Sequence, residues 1–563
     1  MQKKQTILVV ASLLVVVLSV TLAYFTAQII GKGKNVTINS ADLKIIFTDS
    51  DGSISGTNIE PGKWNVTKTF TIENKSNETY KYNIVIQDLV NTFVTNGYLQ
   101  YKITSTNGGY NMTEFKDVPK SETAKDTILA YSVSIPVGVT QSYTVEFKYS
   151  NDESVDQSDD MGKTLSGKLF ITEGTIDPAM YAGYEKGTLG YQVLGNNTTR
   201  EVRTNFNGKF TKTNTETLFT STESIAGSTP VNVYYFAGNV TDNWVKFGKY
   251  KTDYIKYRGY YSATESSFVD YDTMNECTSA TRWNYNCTEY KLANAGDDMY
   301  WRIIRTNHDK SIRLLYFGTS PSSVDGHIGT SAFNTTENDP MYLGYKFGTS
   351  GSLENNRTNE NDSTIKTYID TWYKNNFGDY TKYLSEDAVY CNDRELASGE
   401  TYSMKNNFYY ASYERLYKNT QPTYNCTNIS DAFSVNNVNA KLDYPIALMT
   451  ADEMIYSGDS YEGYFDSASY SWYKANSSGE SVTGSNHWHS ISPEFSSNSY
   501  GIYNNVILAI GAPFESGTIS ITKGVSTLHV VRPVISLKSC VKYSSGDGSP
   551  SNPYEIDYDN SNC

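Results

Sequence analysis

At residues 143–149 the sequence reads Tyr-Thr-Val-Glu-Phe-Lys-Tyr, which alternates apolar and polar side chains at every second position. Successive side chains of a β-strand point to opposite faces, so this pattern predicts a strand with one buried face. The same period of two recurs at residues 80–86 and 131–137, with Asn, Gly and Ser between the runs. Residues 33–175 are therefore predicted to form an all-β sandwich. The acidic stretch 151–160 is predicted to be a solvated hairpin loop within it.

The composition limits the class of protein. The chain has 563 residues and a formal net charge of −14, from 47 basic and 61 acidic residues. This length predicts more than one domain. Nucleic acids are bound through clustered Lys and Arg, so the acidic balance argues against nucleic acid as a partner. All six cysteines and all five histidines lie after residue 270, which divides the chain into two parts of different composition.

The N-terminus has the features of an export signal. A lysine pair precedes an uncharged run at residues 7–25, and such a pair holds its end of an apolar run in the cytoplasm. Small residues stand where a signal peptidase cuts, which predicts cleavage between Ala23 and Tyr24. The run is also long enough to span a bilayer. Residues 1–32 are therefore predicted to be either a signal peptide or an N-terminal membrane anchor, with the bulk of the chain outside the cell.

The cysteines agree with export, because an even number in an exported chain predicts disulfides. Sequence alone leaves the connectivity open. Proximity favours the pairs Cys277–Cys287, Cys391–Cys426 and Cys540–Cys563. Neither a Cys-x-x-Cys nor a His-x-x-x-His spacing occurs, so a zinc site is the weaker interpretation.

The second half of the chain is predicted to be mixed. Residues 176–230 form a Gly, Thr and Asn-rich connecting region, and residues 231–563 an α+β module. Strands are predicted at 234–240, 300–305 and 312–317, and helices after the N-cap at 362–364, after the capping box at 450–453 and over 408–417.

The order of motifs in the first half resembles a known family. The apolar leader is followed by Leu43-Lys44-Ile45-Ile46-Phe47, then by Glu60-Pro61-Gly62, Phe70-Thr71-Ile72-Glu73-Asn74 and Tyr80-Lys81-Tyr82. This order is similar to the TasA/camelysin family of Gram-positive surface and biofilm-matrix proteins, over roughly residues 5–175. The resemblance implies a jelly-roll-like sandwich and, in fibre-forming members, self-assembly by strand donation. The donor here would be residues 24–40, freed by cleavage.

The second half also resembles other surface proteins. The motifs that carry this likeness include Tyr300-Trp301-Arg302-Ile303-Ile304-Arg305, Tyr390-Cys391-Asn392-Asp393-Arg394 and Val531-Arg532-Pro533-Val534-Ile535-Ser536-Leu537. Their order is similar to an uncharacterised extracellular module of Firmicutes surface proteins, near the C-type-lectin-like and formylglycine-generating-enzyme-like folds. The likeness implies an extracellular location and a possible glycan or host-surface ligand, but no known reaction.

Candidate metal sites are few. His487 and His489 would point to the same side of a strand, which makes them the best metal pair, although no third ligand is identifiable. The alternative is aromatic packing beside Trp488, and these three residues are also the candidates for ligand binding. A calcium loop at residues 49–53 with Glu60 lacks the glycine that an EF-hand loop requires, so a plain turn is favoured.

No catalytic residue is predicted. The chain has no His-Glu-x-x-His, and residues 33–175 contain no histidine, which argues against a metallopeptidase. Arg532 is predicted to be a buried arginine paired with Asp452 or Glu453. The sequence thus predicts an exported, non-enzymatic surface protein without a cofactor, with a structural or adhesive role. The alternatives are a lectin-like carbohydrate-binding protein and, remotely, a metallopeptidase.

Overall fold

The computed structural model describes residues 36–37, 43–47, 53–56, 59–173, 182–197, 199–208, 210, 212–214, 216–262, 267–280, 285–460, 472–499, 503–511, 519–520, 524–561 and 563. The chain divides into two compact units, Met1–Pro178 (unit 1) and Ala179–Cys563 (unit 2). The predicted leader, with its cleavage site at Ala23 and Tyr24, lies outside the described residues. Within those residues, no helix is both long and apolar enough to cross a membrane.

The described residues of unit 1 form ten strands and one 3-10 turn, at Ser158–Asp160. The strands are β1 (Val36–Thr37), β2 (Leu43–Phe47), β3 (Ser53–Gly56), β4 (Trp64–Asn74), β5 (Tyr80–Asn91), β6 (Leu99–Ser105), β7 (Lys116–Asp117), β8 (Ser121–Ile135), β9 (Thr140–Tyr149) and β10 (Leu165–Glu173).

These strands form two antiparallel sheets that enclose one core. One sheet has the order β1-β2-β4-β9-β6-β7 and the other the order β3-β10-β5-β8. In β9 every second side chain is buried, as the alternation predicts. The core contains Phe70, Tyr82, Ile84 and Val145 among its members. The prediction of an all-β sandwich is confirmed.

The run at 131–137 departs from the predicted inward face. Tyr131 is 36% and Val137 50% exposed, whereas Leu129 and Ala130 are both buried. A β-bulge explains the exposed Tyr131, because Ser132 has a φ of 53° and the register between β8 and β5 shifts between Ala130 and Val133. Val137 is exposed because it lies in the turn that follows the end of β8 at Ile135. The prediction was therefore wrong at both ends of this run.

The acidic stretch between β9 and β10 is a loop, as predicted, but one of its carboxylates is buried. Asp160 accepts hydrogen bonds from the N–H groups of Val94 (2.6 Å) and Thr95 (3.1 Å) and from the Tyr149 hydroxyl (2.8 Å). Burial alone would raise the pKa of Asp160, but these hydrogen bonds hold it below its ordinary value. Asp160 therefore fixes the loop against the sandwich.

Unit 2 contains twenty-five described strands, numbered on from unit 1. They are β11 (Thr199–Glu201), β12 (Thr213–Asn214), β13 (Thr217–Glu223), β14 (Val231–Tyr235), β15 (Asn239–Val240), β16 (Trp244–Lys249), β17 (Tyr254–Tyr260), β18 (Phe268–Tyr271), β19 (Tyr285–Ala293), β20 (Asp298–Thr306), β21 (Ile312–Tyr316), β22 (Thr330–Ser331), β23 (Lys346–Phe347), β24 (Asn361–Asp362), β25 (Tyr390–Cys391), β26 (Phe408–Tyr409), β27 (Ala432–Phe433), β28 (Ile446–Ala447), β29 (Trp488–Ser499), β30 (Tyr503–Gly511), β31 (Ile519–Ser520), β32 (His529–Val530), β33 (Val534–Leu537), β34 (Tyr543–Ser545) and β35 (Tyr554–Ile556).

The helices of unit 2 are short apart from α4. They are α1 (Leu189–Asn196), α2 (Met274–Ser279), α3 (Leu353–Asn356), α4 (Thr364–Asn376), α5 (Ala411–Tyr413) and α6 (Ala451–Tyr456), with 3-10 turns at Pro340–Leu343, Gly378–Tyr383 and Ile429–Asp431 and a π-helical turn at Glu414–Lys418.

The main sheet of unit 2 is built around β20 and β21. Its strands have the order β11-β13-β14-β20-β16-β35-β34. In addition, β21 pairs with both β20 and β33, and β33 pairs with β28. Almost every side chain of β20 and β21 is buried, as expected of strands covered on both faces. A six-stranded sheet, a three-stranded sheet (β18-β17-β19) and two-stranded pairs complete the unit. The predicted α+β module is confirmed.

Two predicted helix starts are present. The Ser363 side chain accepts a hydrogen bond from the Lys366 N–H and caps α4. Thr450 and Glu453 form a complete capping box at the start of α6. The helix predicted over 408–417 was wrong at its start, because Phe408 and Tyr409 pair as β26 with β29. There, tertiary pairing overrides the local pattern.

The region predicted as a connection, residues 176–230, contributes α1 and β11 to β13 to unit 2. Its first part is fixed next to the C-terminal region of the chain. The Leu189 N–H donates to the Val541 carbonyl and the Tyr543 N–H to the Gly187 carbonyl, each at 2.9 Å. This terminal clamp, residues 187–189 against 541–543, lies beside the Cys540–Cys563 disulfide.

The three disulfides connect the cysteines in the pairs that proximity favours: Cys277–Cys287, Cys391–Cys426 and Cys540–Cys563. We expect peptide mapping of the unreduced protein by mass spectrometry to recover these three cross-linked pairs. Reduction before digestion is the control and should release each pair. Recovery of any other pair as the main product, or of free thiols, would contradict this connectivity.

Candidate functional site

The segment with the predicted ligand-binding residues lies at the start of β29, and most of it is buried. Trp488 is 1% exposed, with its ring centroid 5.8 Å from that of Tyr473 and 5.3 Å from the Arg532 guanidinium. The His489 Nε2 lies 3.0 Å from the Ser331 carbonyl oxygen, and burial lowers the pKa of His489 to about 4. His487 is half-buried. Trp488 therefore packs in the core, where a soluble ligand has no access to it.

The two histidines do not gather a set of metal ligands. Within the described residues, the one group of three or more His, Cys, Asp or Glu side chains with ligand atoms within 4.8 Å of one another is Asp362, Asp370 and Asp443. The calcium-loop candidate at 49–53 lies mostly outside those residues, and its Glu60 forms an ion pair with Lys63 at 2.7 Å.

The three-aspartate group is occupied by a cation of the chain itself. The Lys366 ammonium lies 3.2 Å from Asp362, 2.6 Å from Asp370 and 2.7 Å from Asp443, and its side chain is 1% exposed. Burial raises the pKa of Asp370 to about 6 despite this contact. The position at which a metal ion would sit is thus filled by an ammonium group, and the cluster is an ion-pair network.

The predicted partner of Arg532 was wrong. Its Nε donates to the Gly326 carbonyl at 3.0 Å and its Nη1 to the Tyr473 carbonyl at 2.5 Å. Burial lowers the pKa of Arg532 to about 9. The arginine lies where backbone carbonyls of two loops converge, so it holds those loops together without a carboxylate.

Glu453 pairs with two other arginines. Its Oε1 accepts from Arg305 Nε at 2.9 Å and from Arg313 Nη1 at 2.6 Å, while its Oε2 accepts from the Thr450 N–H at 3.0 Å. Arg305 donates in addition to Glu223 at 2.9 Å. All four charged side chains are at most 3% exposed. Glu453 therefore completes the capping box of α6 and pairs with an arginine on each of the two central strands, while Glu223 supplies the second negative charge.

The neighbouring charges are paired in the same way. Arg415 donates to Asp452 at 2.8 and 2.7 Å and to Asp393 at 2.7 Å. The cavity between the two networks, which Cys391 and Cys426 also line, measures about 20 Å³. That is room for about one water molecule. The network therefore stabilises the fold and leaves no space for a substrate.

One open cleft of unit 2 has a different character. It encloses about 630 Å³ between the strand β17, the residue Asp272 and one stripe of α4. Clefts of this size are typical of small-molecule sites. The lining residues are Tyr254, Lys256, Asp272, Ser331, Asp362, Thr364, Thr367, Tyr368, Thr371, Trp372, Asn375 and Asn376.

The aromatic part of the cleft is fixed in place. The hydroxyls of Tyr254 and Tyr368 both donate to the Ile328 carbonyl, at 2.6 and 2.9 Å. Gly329 has a φ of 110°, and a Cβ there would lie 2.3 Å from the Tyr368 hydroxyl and 3.2 Å from Cε of Lys256. A glycine is thus required for the two side chains to lie over this backbone. Rings held in this way are suited to contact a ligand without reordering.

Sequence reasoning missed this cleft. It identified the stretch that contains Tyr368 and Trp372 only as part of the helix predicted after the N-cap at 362–364. The available signal was the row Thr364, Thr367, Thr371 and Asn375, which recurs at helical spacing without a charge. Exposed helix faces more often carry Lys and Glu, so a neutral polar row marks a surface with a specific contact.

Comparison of the chain with protein-family models and with curated proteins found no match. The two resemblances therefore rest on the order of the quoted motifs alone.

We expect Glu453→Ala to lower the free energy of unfolding by about 3–5 kcal/mol, because it takes from the buried Arg313 its carboxylate partner and leaves Arg305 with Glu223 alone. Urea unfolding followed by tryptophan fluorescence measures the change. Glu276→Ala is the matched control, since Glu276 completes the same capping box at α2 in an exposed position. The control substitution should lower the free energy of unfolding by about 1 kcal/mol or less. Equal losses in the two variants would contradict a stabilising role for the network.

The lowered pKa of the buried Glu223 predicts that the free energy of unfolding depends on pH. Burial would raise its pKa, but the charge of Arg305 and hydrogen bonds from His308 and Arg305 lower it from 4.5 to about 2. A carboxylate with a lowered folded-state pKa contributes stability above its unfolded pKa, and this is lost as the pH falls toward 2. We expect the destabilisation by Glu223→Gln to be full at pH 6 and to shrink below pH 4.5.

Unfolding free energies of the wild type and Glu223→Gln, measured across this pH range, test the expectation. Glu289→Gln, at an exposed glutamate of β19, is the control and should change little. A destabilisation by Glu223→Gln that stays constant down to pH 2 would contradict the pairing.

Proposed function

We propose that this chain is an exported bacterial cell-surface protein with a structural or adhesive role. Unit 1 mounts or assembles the protein on the surface, and unit 2 is displayed. The position of β1 carries this proposal. Val36 and Thr37 pair with Ile45 and Lys44 at the edge of the larger sheet of unit 1.

An edge strand of this kind is suited to exchange. It belongs to the predicted donor segment, residues 24–40, and the pairing that it makes within the chain can be made equally with β2 of a neighbouring copy. Exchange of an identical element between copies costs little, because the contacts formed are those that are given up. Repeated from copy to copy, it joins subunits into a filament. The resemblance of residues 5–175 to fibre-forming surface proteins favours the same mode.

The chemistry of unit 2 is compatible with display outside the cell. Its three disulfides fit an oxidising, extracellular environment. The buried charges at Glu453 and at Lys366 are paired with opposite charges, as described above. The proposal therefore treats the protein as non-catalytic, and assigns the adhesive contact to the surface of unit 2.

We expect protein recovered from its own cells to begin at Tyr24 and to form filaments. Mass spectrometry of the N-terminal peptide and electron microscopy check the two points. A chain that starts at Tyr24 should assemble in solution, whereas a chain that starts at residue 41 should stay monomeric because it has no strand to donate.

A synthetic peptide of residues 24–40 in excess should stop the growth of filaments, because it competes for the same sheet edge. A peptide of the same composition in scrambled order is the control. An intact leader on a monomeric, membrane-bound protein would overturn the assembly role and leave a tethered adhesin.

A further inference from the structure

The helix side of the cleft offers hydrogen-bond acceptors. The hydroxyl of Thr367 donates to the Ser363 carbonyl at 3.2 Å, and that of Thr371 donates to the Thr367 carbonyl at 2.8 Å. A hydroxyl has one proton and two lone pairs, so each of these oxygens faces the cleft as an acceptor. Asn375 adds an exposed amide one turn further along. This row extends for about 16 Å, at 1.5 Å per residue from Thr364 to Asn375.

The charges around the cleft are already balanced. The ammonium of Lys256 pairs with Asp272, whose side chain is 68% exposed. Asp362 pairs with Lys346 at 3.1 Å and with Lys366 at 3.2 Å. Of the residues that line the described cleft, Lys256 is the single cation. A phosphate or a carboxylate would meet a cation that is neutralised and acceptors that repel it, so the cleft disfavours anionic ligands.

Two tyrosine rings, one from β17 and one from α4, form the aromatic floor of the cleft. Lys256 Nζ lies 5.2 Å from the ring centroid of Tyr254 and 4.8 Å from that of Tyr368, so its stem and the two rings form one packed floor. Aromatic rings beside a few fixed polar groups suit a ligand that has both apolar C–H surfaces and hydroxyl groups. A sugar ring has such surfaces, and its many hydroxyls donate to acceptors.

We propose that this cleft binds an uncharged oligosaccharide, with its hydroxyls donating to Thr367, Thr371 and Asp272 and its C–H surfaces against Tyr254 and Tyr368. The inference rests on the proposed function, since it supplies the ligand of the displayed unit. It places the contact on β17 and α4, away from the buried Trp488.

Isothermal titration of the full exported chain tests the proposal. The neutral probes are trisaccharides of glucose, mannose, xylose and N-acetylglucosamine, and the acidic probe is trigalacturonic acid. We expect saturable binding of at least one neutral probe, at one site per chain. The double variant Thr367→Val/Thr371→Val keeps the shape of the helix face and removes both acceptors, so it should weaken that binding at least tenfold.

Thr278→Val is the matched control. Thr278 is an exposed helical threonine whose hydroxyl donates to the Met274 carbonyl at 3.0 Å, the same contact that Thr371 makes, but it lies outside the cleft. Its substitution should leave the affinity unchanged. The proposal is overturned if no neutral probe binds, if trigalacturonic acid binds as tightly, or if the double variant binds like the wild type. If the protein forms filaments but binds no sugar, this inference is overturned and the assembly role stands. If the protein binds sugar but stays monomeric, the assembly role is overturned and this inference stands.

Discussion

The fold of unit 2 depends on the pairing of two buried arginines with one shared glutamate. Arg305 and Arg313 lie on adjacent central strands, and a buried cation without a partner destabilises a fold severely. Glu453 meets both and at the same time caps the first turn of α6, so the helix can start only where the two strands place their guanidinium groups. Glu223 pairs with Arg305 and so ties β13 to the same network. Asp452, next to Glu453, pairs with Arg415 and ties the π-helical turn to it. The charges thus specify how separate elements come together.

Unit 1 is held by other means, and its two sheets differ at their edges. The core is aromatic and aliphatic, with polar exceptions such as Asn74 and Gln141. The smaller sheet has β8 at one of its edges. The bulges of β8 and its exposed Tyr131 interrupt this edge, and such interruptions are a common protection against unwanted strand pairing. The larger sheet has β1, a strand of two residues, at one of its edges. The regular pairing of β1 with β2 thus contrasts with the interrupted pairing of β8 with β5.

Patterns within short stretches predicted much of this fold. The period of two located the strands of unit 1, the capping signals located α4 and α6, and separation along the chain favoured the cysteine pairs. Contacts between distant stretches could not be found in this way. Arg532 was recognisable as buried, but its partners are backbone carbonyls, which carry no sequence signal. Trp488 has the side chain of a binding residue, and only its burial shows that it belongs to the core. The cleft joins β17 to α4, and no local pattern connects them.

The terminal clamp of unit 2 has a consequence for its resistance to exopeptidases. Exopeptidases begin at frayed chain ends, and fraying of residues 187–189 requires the release of 541–543, which the adjacent disulfide holds. The first and last segments of the unit therefore cannot loosen one at a time. An enzyme that trims unpaired polypeptide would be slowed at this clamp, so unit 2 would persist while unpaired residues outside the clamp were digested.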